Sequence, residues 1–200
     1  GAVVVAQPVA DQTGGPVVLA HPADGTTLVD FTAGVSSEWQ VVNDGVMGGV
    51  SRSSFAFVQA VSGGHAEFSG TLSFARNGGF ASVRGRLPAG ACSGAAGVVL
   101  AVRGSRLPFK FCVRDRAGWD SEGYQADFTP PDEHEWAEVR LPFSTFIPSV
   151  RGQVVGPRGS LRPEGIIGGG LMLSKLAADG RPNGVAEGQF RLELRTVKTY

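Results

Sequence analysis

Short runs of alternating apolar and polar residues, separated by glycine, proline and asparagine, restrict the fold of this chain more than any other feature. In the run GQFRLELR, Phe190, Leu192 and Leu194 fall on one face of an extended strand, with Arg191 and Glu193 on the other. Successive side chains of a strand point to opposite faces, so this run predicts a strand with one buried and one wet face. LPFKFCVRD and EWAEVRL show the same alternation and lead to the same prediction.

Two other runs, at 97–104 and 166–174, are apolar on both faces and predict strands in the middle of a sheet. Further strands are predicted at 27–31, 39–42, 54–60, 65–74, 80–84 and 123–128. No segment has a sustained helical period with caps. About ten short strands joined by turns indicate an all-β fold, an antiparallel β-sandwich of the jelly-roll type with little helix.

The length of 200 residues limits the number of domains, and the charge balance limits the classes of partner. We predict a single β-sandwich domain at 27–200, preceded by an extended arm at 1–26. The 18 basic and 18 acidic residues cancel, which argues against general binding to DNA, RNA or an anionic membrane. No apolar run reaches the length of about 20 residues that a membrane-spanning helix needs. Cys92 and Cys112 are too few for a disulfide framework and are predicted to be free thiols.

The stretch VNDGVMGGVS, residues 42–51, is the most unusual segment of the chain. Its glycines are not followed by lysine, and their spacing fits neither a P-loop nor a dinucleotide fingerprint. Asn43, Asp44 and Gly45 are a strong turn signal, because these residue types tolerate positive φ. Two placements of Met47 are open. It fills the end of the core, which the use of methionine as a gap filler favours, or it is presented to a partner at a loop tip.

A second turn signal lies in RNGGFASVRG at 76–85. Asn77, Gly78 and Gly79 predict a tight turn that re-enters a strand at Phe80. A plain β-hairpin is favoured here over a ligand-binding loop.

Catalytic and metal-binding patterns are absent from the sequence. The histidines lack the spacing of metal ligands, and there is no G-x-S-x-G motif. Four acidic residues in a loop region keep a calcium site or a carboxylate pair open, although solvated loop acids are the more ordinary interpretation. We therefore predict no enzyme activity, no metal and no cofactor. The histidines are His21, His65 and His134, and the acidic residues are Asp115, Asp120, Glu122 and Asp127.

Charge is distributed in two opposed blocks. Between Glu67 and Asp115 there are seven basic residues and no acid, whereas 115–138 holds eight acids and one arginine. One explanation is that neighbouring strands neutralise each other through cross-strand pairs. The other is that one face stays basic and another acidic, which would steer a protein partner.

These motifs resemble the complex I intermediate-associated protein 30 family. The matching stretches are WQVVNDGVMGGVSRSSF (39–55), FSGTLSFARNGGFASVRG (68–85), FKFCVRD (109–115), WAEVRLPFSTFIPSVRG (136–152) and GQFRLELRTVKTY (188–200). The resemblance implies a galactose-binding-like jelly roll and a non-enzymatic role as an assembly or repair factor for a membrane-embedded electron-transport complex. The stretch LMLSKLAADGRPNGVAEGQFRLELRTVKTY (171–200) is more similar to the photosynthetic-type members, which implies a photosystem.

The resemblance also sets expectations for partners and location. We expect the protein to bind protein subunits of such a complex, not DNA or RNA, and to meet the membrane only through its partner. The expected location is an organelle, the chloroplast stroma or thylakoid surface, with the mitochondrion as the alternative. No catalytic residues carry over from the family. The predicted partner-binding residues come from the loop motifs and their flanks, and they are Asn43, Asp44, Met47, Arg52, Asn77, Phe80 and Arg84.

Other functions stay open at this point. The chain fits a mitochondrial respiratory complex I assembly factor, or a permanent accessory subunit in place of a transient factor. It also fits a carbohydrate-binding module, in which Trp119, Tyr124 and Trp136 stack on a sugar ring while Asp120 and Glu122 bind hydroxyl groups. A hydrolase or a calcium-dependent enzyme is the least favoured interpretation, because positioned acid and base partners are not evident.

Overall fold

The structure is a computed structural model that describes residues 25–35, 38–117, 123–150, 153–156 and 160–200. Its described residues form two antiparallel sheets around a shared apolar core, which confirms the predicted β-sandwich. These described ranges contain thirteen strands instead of about ten. The ones that the sequence did not indicate are Ile147–Val150 and Gln153–Val154, a short pair at a sheet edge without a clear alternation.

One sheet, which we call the back sheet, contains six strands in the order β3-β4-β13-β6-β9, with β1 paired to β13. Its strands are β1 (Thr27–Asp30), β3 (Arg52–Val58), β4 (His65–Leu72), β6 (Gly97–Gly104), β9 (Ala137–Pro142) and β13 (Gly188–Thr199). The other, the front sheet, contains seven strands in the order β11-β10-β8-β7-β12-β5-β2. Its strands are β2 (Gln40–Val41), β5 (Phe80–Arg86), β7 (Phe109–Arg114), β8 (Gly123–Phe128), β10 (Ile147–Val150), β11 (Gln153–Val154) and β12 (Gly168–Ser174).

The alternating runs place their apolar residues in the core as predicted. Phe190, Leu192 and Leu194 of β13 are buried, and so are Phe109 and Phe111 of β7. The two apolar runs form β6 and β12, which have neighbours on both sides, so the prediction of central strands is confirmed.

Two outward-facing residues of these strands are less exposed to solvent than the alternation predicts. Glu193 of β13 and Lys110 of β7 are each only 3% exposed. Other side chains cover them on the outer faces, because Arg103 and His65 pack on Glu193 and Ser174 contacts Lys110. Alternation identified the two faces of each strand correctly, but not what lies over them.

Both signature loops connect the two sheets. The 42–51 segment leads from β2 in the front sheet to β3 in the back sheet, and 73–79 leads from β4 back to β5. The predicted plain hairpin at 76–85 is therefore wrong, because β4 and β5 lie in different sheets, although the strand does begin at Phe80 as predicted. The two loops cross the sandwich side by side.

The helical content of the described residues is limited to single 3-10 turns. They are Asp44–Met47, Ala75–Asn77, Phe143–Thr145 and Pro163–Gly165. Within the described ranges, no helix has the length and hydropathy needed to cross a membrane.

Aromatic packing anchors the region that precedes the first loop. Trp39 is buried, with its ring centroid 5.2 Å from that of Phe31 and 5.6 Å from that of Phe55. Gly85 lies under the indole, since a Cβ there would come within 2.3 Å of Trp39 Cδ2.

The start of the described chain is hydrogen-bonded to its C-terminal strand. Residues 1–24 of the predicted arm lie outside the described residues, while the Thr26 carbonyl accepts a hydrogen bond from the Thr199 N–H at 2.9 Å.

Cys92 and Cys112 are free, as predicted. Burial raises the pKa of the Cys92 thiol to about 11, so it stays protonated and acts as a small apolar side chain.

Candidate functional site

The Asp44 carboxylate joins the two signature loops. Asp44 is 1% exposed. Its Oδ1 accepts a hydrogen bond from the Ser51 N–H at 2.9 Å, and its Oδ2 accepts one from the Ser51 hydroxyl at 2.6 Å. Oδ2 also accepts from the N–H groups of Gly79 at 2.7 Å and Phe80 at 3.3 Å. Burial raises the pKa of this carboxyl, but the hydrogen bonds together outweigh burial and hold the pKa below its usual value.

Asn43 forms a second tie beside the first. Its Oδ1 accepts hydrogen bonds from the Ser53 hydroxyl at 2.8 Å and from the Ser82 N–H at 3.3 Å. The Ser82 hydroxyl donates to the Val42 carbonyl, which secures β2 against β5. We refer to residues 43–51 and 76–80 together as the Asp44 corner. Buried and charge-assisted hydrogen bonds make this corner a single rigid unit.

Two apolar side chains of the Asp44 corner are exposed to solvent. Val46 is 70% exposed and Met47 is 69% exposed. The favoured prediction that Met47 fills the core is therefore wrong, and the alternative of a loop tip is the arrangement found. The glycines explain it, because the turn ends at Gly48 with φ of 88°, and the Gly49 backbone packs on the carboxylate. A Cβ on Gly49 would lie 2.3 Å from Asp44 Cγ.

The other predicted binding residues are divided between two surfaces. Asn77, Phe80 and Arg84 line a groove on the front sheet together with Met47. Arg52 is exposed at the start of β3, in the back sheet, and does not line the groove. Asn43 and Asp44 hold the corner from inside. A contact of any of these residues with a partner stays a prediction.

The groove covers the outer face of the front sheet and has a volume of about 700 Å³. The Asp44 corner forms one end of it, where β5 begins. Its centre is β12, in which Gly168 and Gly170 face outward and leave a strip without side chains. Gly170 allows close approach of the neighbouring strand, because a Cβ there would lie 2.3 Å from the Val83 carbonyl oxygen.

Basic side chains dominate the lining of the groove. Among the residues that the structure describes, the basic ones in the lining are Arg84, Arg86, Lys110, Arg114 and Lys175, and the acidic ones are Glu38 and the internally bonded Asp44. Lys110 Nζ donates a hydrogen bond to Ser174 Oγ at 2.9 Å, and burial lowers the pKa of this lysine. Alternation in LPFKFCVRD had placed Lys110 and Arg114 on one face. That β5 and β7 both pair with β12, and so bring their basic residues together, could not be read from the sequence.

Two of the three aromatic residues predicted to stack on a sugar, Tyr124 and Trp136, are described, and they do not share a surface. Tyr124 is 2% exposed and belongs to the core, so it cannot stack on a ligand. Trp136 lies on the back sheet, where the guanidinium carbons of Arg103 and Arg195 are 4.8 Å and 4.2 Å from its ring centroid. Trp119, Asp120 and Glu122 lie outside the described residues.

A buried charge cluster lies on the outer face of the back sheet. Glu193 accepts a hydrogen bond from Arg103 and lies 3.3 Å from His65 Nε2. Burial lowers the pKa of His65, the Glu193 charge opposes this effect, and the charges of Arg103 and Arg195 add to it. Across the described residues, no group of three or more His, Cys, Asp or Glu side chains is arranged to hold a metal ion.

Comparison with solved structures defines the class of fold. The family 11 carbohydrate-binding module of the cellulosomal cellulase Lic26A-Cel5E of Clostridium thermocellum aligns with a TM-score of 0.62 at 22% identity, over 88% of this chain and 95% of that chain. The module from that organism in complex with a β-1,3-1,4-mixed-linked tetrasaccharide aligns with a TM-score of 0.62 at 23% identity, over 88% and 96%. The agarase AgWH50C aligns with a TM-score of 0.51 at 11% identity, over 88% of this chain and 25% of that chain.

At these identities the likeness establishes the fold, a jelly-roll β-sandwich of the carbohydrate-binding-module type. Among curated proteins, none matches the chain in sequence. The chain belongs to the complex I intermediate-associated protein 30 family, which it matches over residues 29–194. The family predicted from the sequence is thereby confirmed. Both the family and the carbohydrate-binding modules are non-catalytic kinds of domain.

Proposed function

We propose that this protein is a non-enzymatic assembly factor that binds protein subunits of a membrane-embedded electron-transport complex. The family is named for an association with an intermediate of complex I, which supports a role in assembly. The observation that carries the proposal is the exposure of Val46 and Met47 on a corner fixed by a buried carboxylate. Rigid presentation of apolar side chains lowers the entropic cost of binding, as expected of a docking surface.

We propose further that the client complex is a photosystem and that the protein acts in the chloroplast. This assignment depends on residues 171–200, whose sequence resembles that of the photosynthetic-type members. The segment contributes to the groove, because Lys175 Nζ donates to the Gly78 carbonyl at 2.7 Å and Met172 lines the groove. The alternative client, complex I of the mitochondrion, uses the same surface and differs in the subunits that would be found attached to it.

Site-specific crosslinking tests the proposal. A photoreactive amino acid replaces Met47, the protein is incubated with gently solubilised organelle membranes, and crosslinked subunits are identified by mass spectrometry. The control carries the same group at Val61, which is fully exposed in a different turn. We expect position 47 alone to capture subunits of an incomplete complex. Photosystem subunits support the chloroplast assignment and complex I subunits the mitochondrial one. Capture of neither, or the same products from both positions, overturns the proposed docking function.

Fractionation of assembly stages separates a transient factor from a permanent subunit. An assembly factor migrates with incomplete complexes and is missing from the mature one. Stoichiometric recovery in the mature complex would identify the protein as a permanent accessory subunit and contradict the assembly role.

A further inference from the structure

Two rows of cations flank the glycine strip of the front sheet. Gly168 pairs with Arg86 of β5 on one side and with Arg114 of β7 on the other. Gly170 pairs with Arg84 of β5 and with Cys112 of β7, and Lys110 of β7 pairs with Met172. Neighbouring strands are about 4.8 Å apart, so the backbones of the two rows are separated by about 10 Å. Arginine side chains from both rows can therefore reach one group that lies over the strip.

Two cations of these rows, Arg84 and Lys110, form no ion pair with another described residue. No carboxylate of the described residues lies within 4.0 Å of the charged nitrogens of Arg84 or Lys110. Asp127 of β8 pairs with Lys110 of β7, and the charges of Asp127 and Asp179 oppose the larger effect of burial on the pKa of this lysine. The Asp127 carboxylate also accepts hydrogen bonds from the Ala178 N–H at 2.8 and 3.0 Å. Burial lowers the pKa of the Arg84 guanidinium, and the charge of Arg114 lowers it further. An anion in the groove would relieve both effects.

We propose that the groove binds an extended peptide segment that carries carboxylates between apolar side chains. Gly168 and Gly170 allow the peptide backbone to approach the sheet closely. The guanidinium of Arg84 offers a planar pair of donors, which match a carboxylate. Met172 beside the strip and Phe80 near the corner provide apolar contacts, and methionine adapts to side chains of different shape.

The composition of the groove favours a peptide over an acidic polysaccharide. Recognition of a sugar ring uses an aromatic side chain laid flat against it. The aromatic residues among the described lining are Phe80, at the end of the groove, and Tyr124, which is in the core. The mixture of cations, methionine and exposed backbone suits a chain of alternating acidic and apolar residues. This inference deepens the proposed function and rests on it for the partner being a protein.

Binding of synthetic peptides tests the inference with the full chain. The probe is a fluorescently labelled peptide of alternating Leu and Glu, and the matched control peptide has Gln in place of Glu. Anisotropy titrations at low and high salt compare the two, and oligogalacturonate provides the acidic-polysaccharide arm. Loss of charge-assisted hydrogen bonds predicts at least about tenfold weaker binding of the Gln peptide. Binding of the Glu peptide should weaken as salt rises.

Variants locate the binding to the groove. Arg84→Gln with Arg86→Gln removes both charges of the β5 row and should weaken binding of the Glu peptide at least about tenfold. Arg140→Gln, at an exposed position of β9 in the back sheet, should leave it unchanged. Gly168→Leu places a side chain in the strip, where a Cβ has no neighbour closer than 3.4 Å. This variant keeps all the charges of the groove and should block the peptide by steric hindrance alone. Amide NMR spectra verify that each variant is folded.

The possible outcomes separate this inference from the proposed function. Equal affinity for the Glu and Gln peptides, no effect of the groove variants, no peptide binding at low salt, or preferential binding of oligogalacturonate in the groove would each overturn it. If the peptide binds in the groove but position 47 crosslinks to no subunit of an electron-transport complex, the proposed function fails and the peptide site stands. If position 47 crosslinks to such a subunit but the peptide does not bind in the groove, the peptide site fails and the proposed function stands.

Discussion

Asp44 Oδ2 lies 2.7 Å from the amide nitrogen of Gly79, although 35 positions separate the two residues in the chain. This hydrogen bond connects the loops that carry the two most distinctive motifs of the sequence. It shows why an acid occurs between Asn43 and Gly45 in a segment that is otherwise apolar or small. The carboxylate organises the corner from inside, and the neighbouring Val46 and Met47 form its outer surface.

Asp44→Asn is expected to destabilise the protein by about 2–3 kcal/mol, because the amide nitrogen must face an N–H or hydroxyl donor and leave buried groups unsatisfied. Urea unfolding measures the change. The matched control is Asp179→Asn, since Asp179 is exposed, and it should change stability by less than about 0.5 kcal/mol. Equal stabilities of the two variants would show that the Asp44 hydrogen bonds do not hold the corner together.

Gly49→Ala is expected to cost about 1–3 kcal/mol through overpacking, because its Cβ would lie 2.3 Å from Asp44 Cγ. Gly45→Ala is the matched control, since a Cβ at Gly45 has no neighbour within 4 Å. Thermal and urea unfolding compare the variants. A Gly49→Ala protein as stable as its control would contradict the close packing of the turn on the carboxylate.

Replacing both exposed apolar residues, Val46→Ser with Met47→Ser, is expected to leave stability within about 0.5 kcal/mol of the original. Capture of subunits from solubilised membranes should nevertheless fall about tenfold or more, as for the loss of a binding hot spot. Val61→Ser, at an equally exposed site, should change neither quantity. Undiminished capture by the double variant would remove Val46 and Met47 from the docking surface.

The stability of the protein is expected to decrease as pH falls below 6.5, the usual pKa of histidine. The folded protein holds the pKa of His65 below this value, mainly through burial. Between the two pKa values the unfolded chain binds the proton more readily, so protonation favours unfolding. The loss is complete once the pH has passed below the folded pKa.

His65→Gln should flatten this part of the pH profile, whereas His134→Gln, at an exposed position, should preserve it. Urea titrations between pH 5 and pH 8 measure the free energy of unfolding of the original protein and of each variant. The slope of this free energy against pH is then compared among the three proteins. An imidazole of His65 that titrates at or above 6.5 in NMR spectra of the folded protein would contradict the expected direction.

Much of the fold could be predicted because strand alternation is a local property. Phe190, Leu192 and Leu194 are buried because every second side chain of a strand faces the same side. The edge strands at 147–150 and 153–154 escaped prediction because they are short and carry no such alternation. Lys110 and Glu193 were assigned to the correct face, but their burial depends on residues from other strands that cover them.

The candidate site was only partly predictable. The sequence indicated both loops, and the family it resembles was confirmed over residues 29–194. The position of Met47 was predicted wrongly, because a local pattern does not tell whether a turn points toward the core or away from it. The groove was missed, since its glycine strip and its cations come from strands that are distant in the sequence.

The sequence by itself determined the strand-rich class, the faces of the main strands, the turns and the family, because these depend on short-range spacing and on the order of motifs. Tertiary structure decided that two sheet-crossing loops share one carboxylate, that Val46 and Met47 face solvent, and that two rows of basic residues flank the glycines of β12. Those features depend on which strands become neighbours, and strand pairing is set by the packing of the whole core.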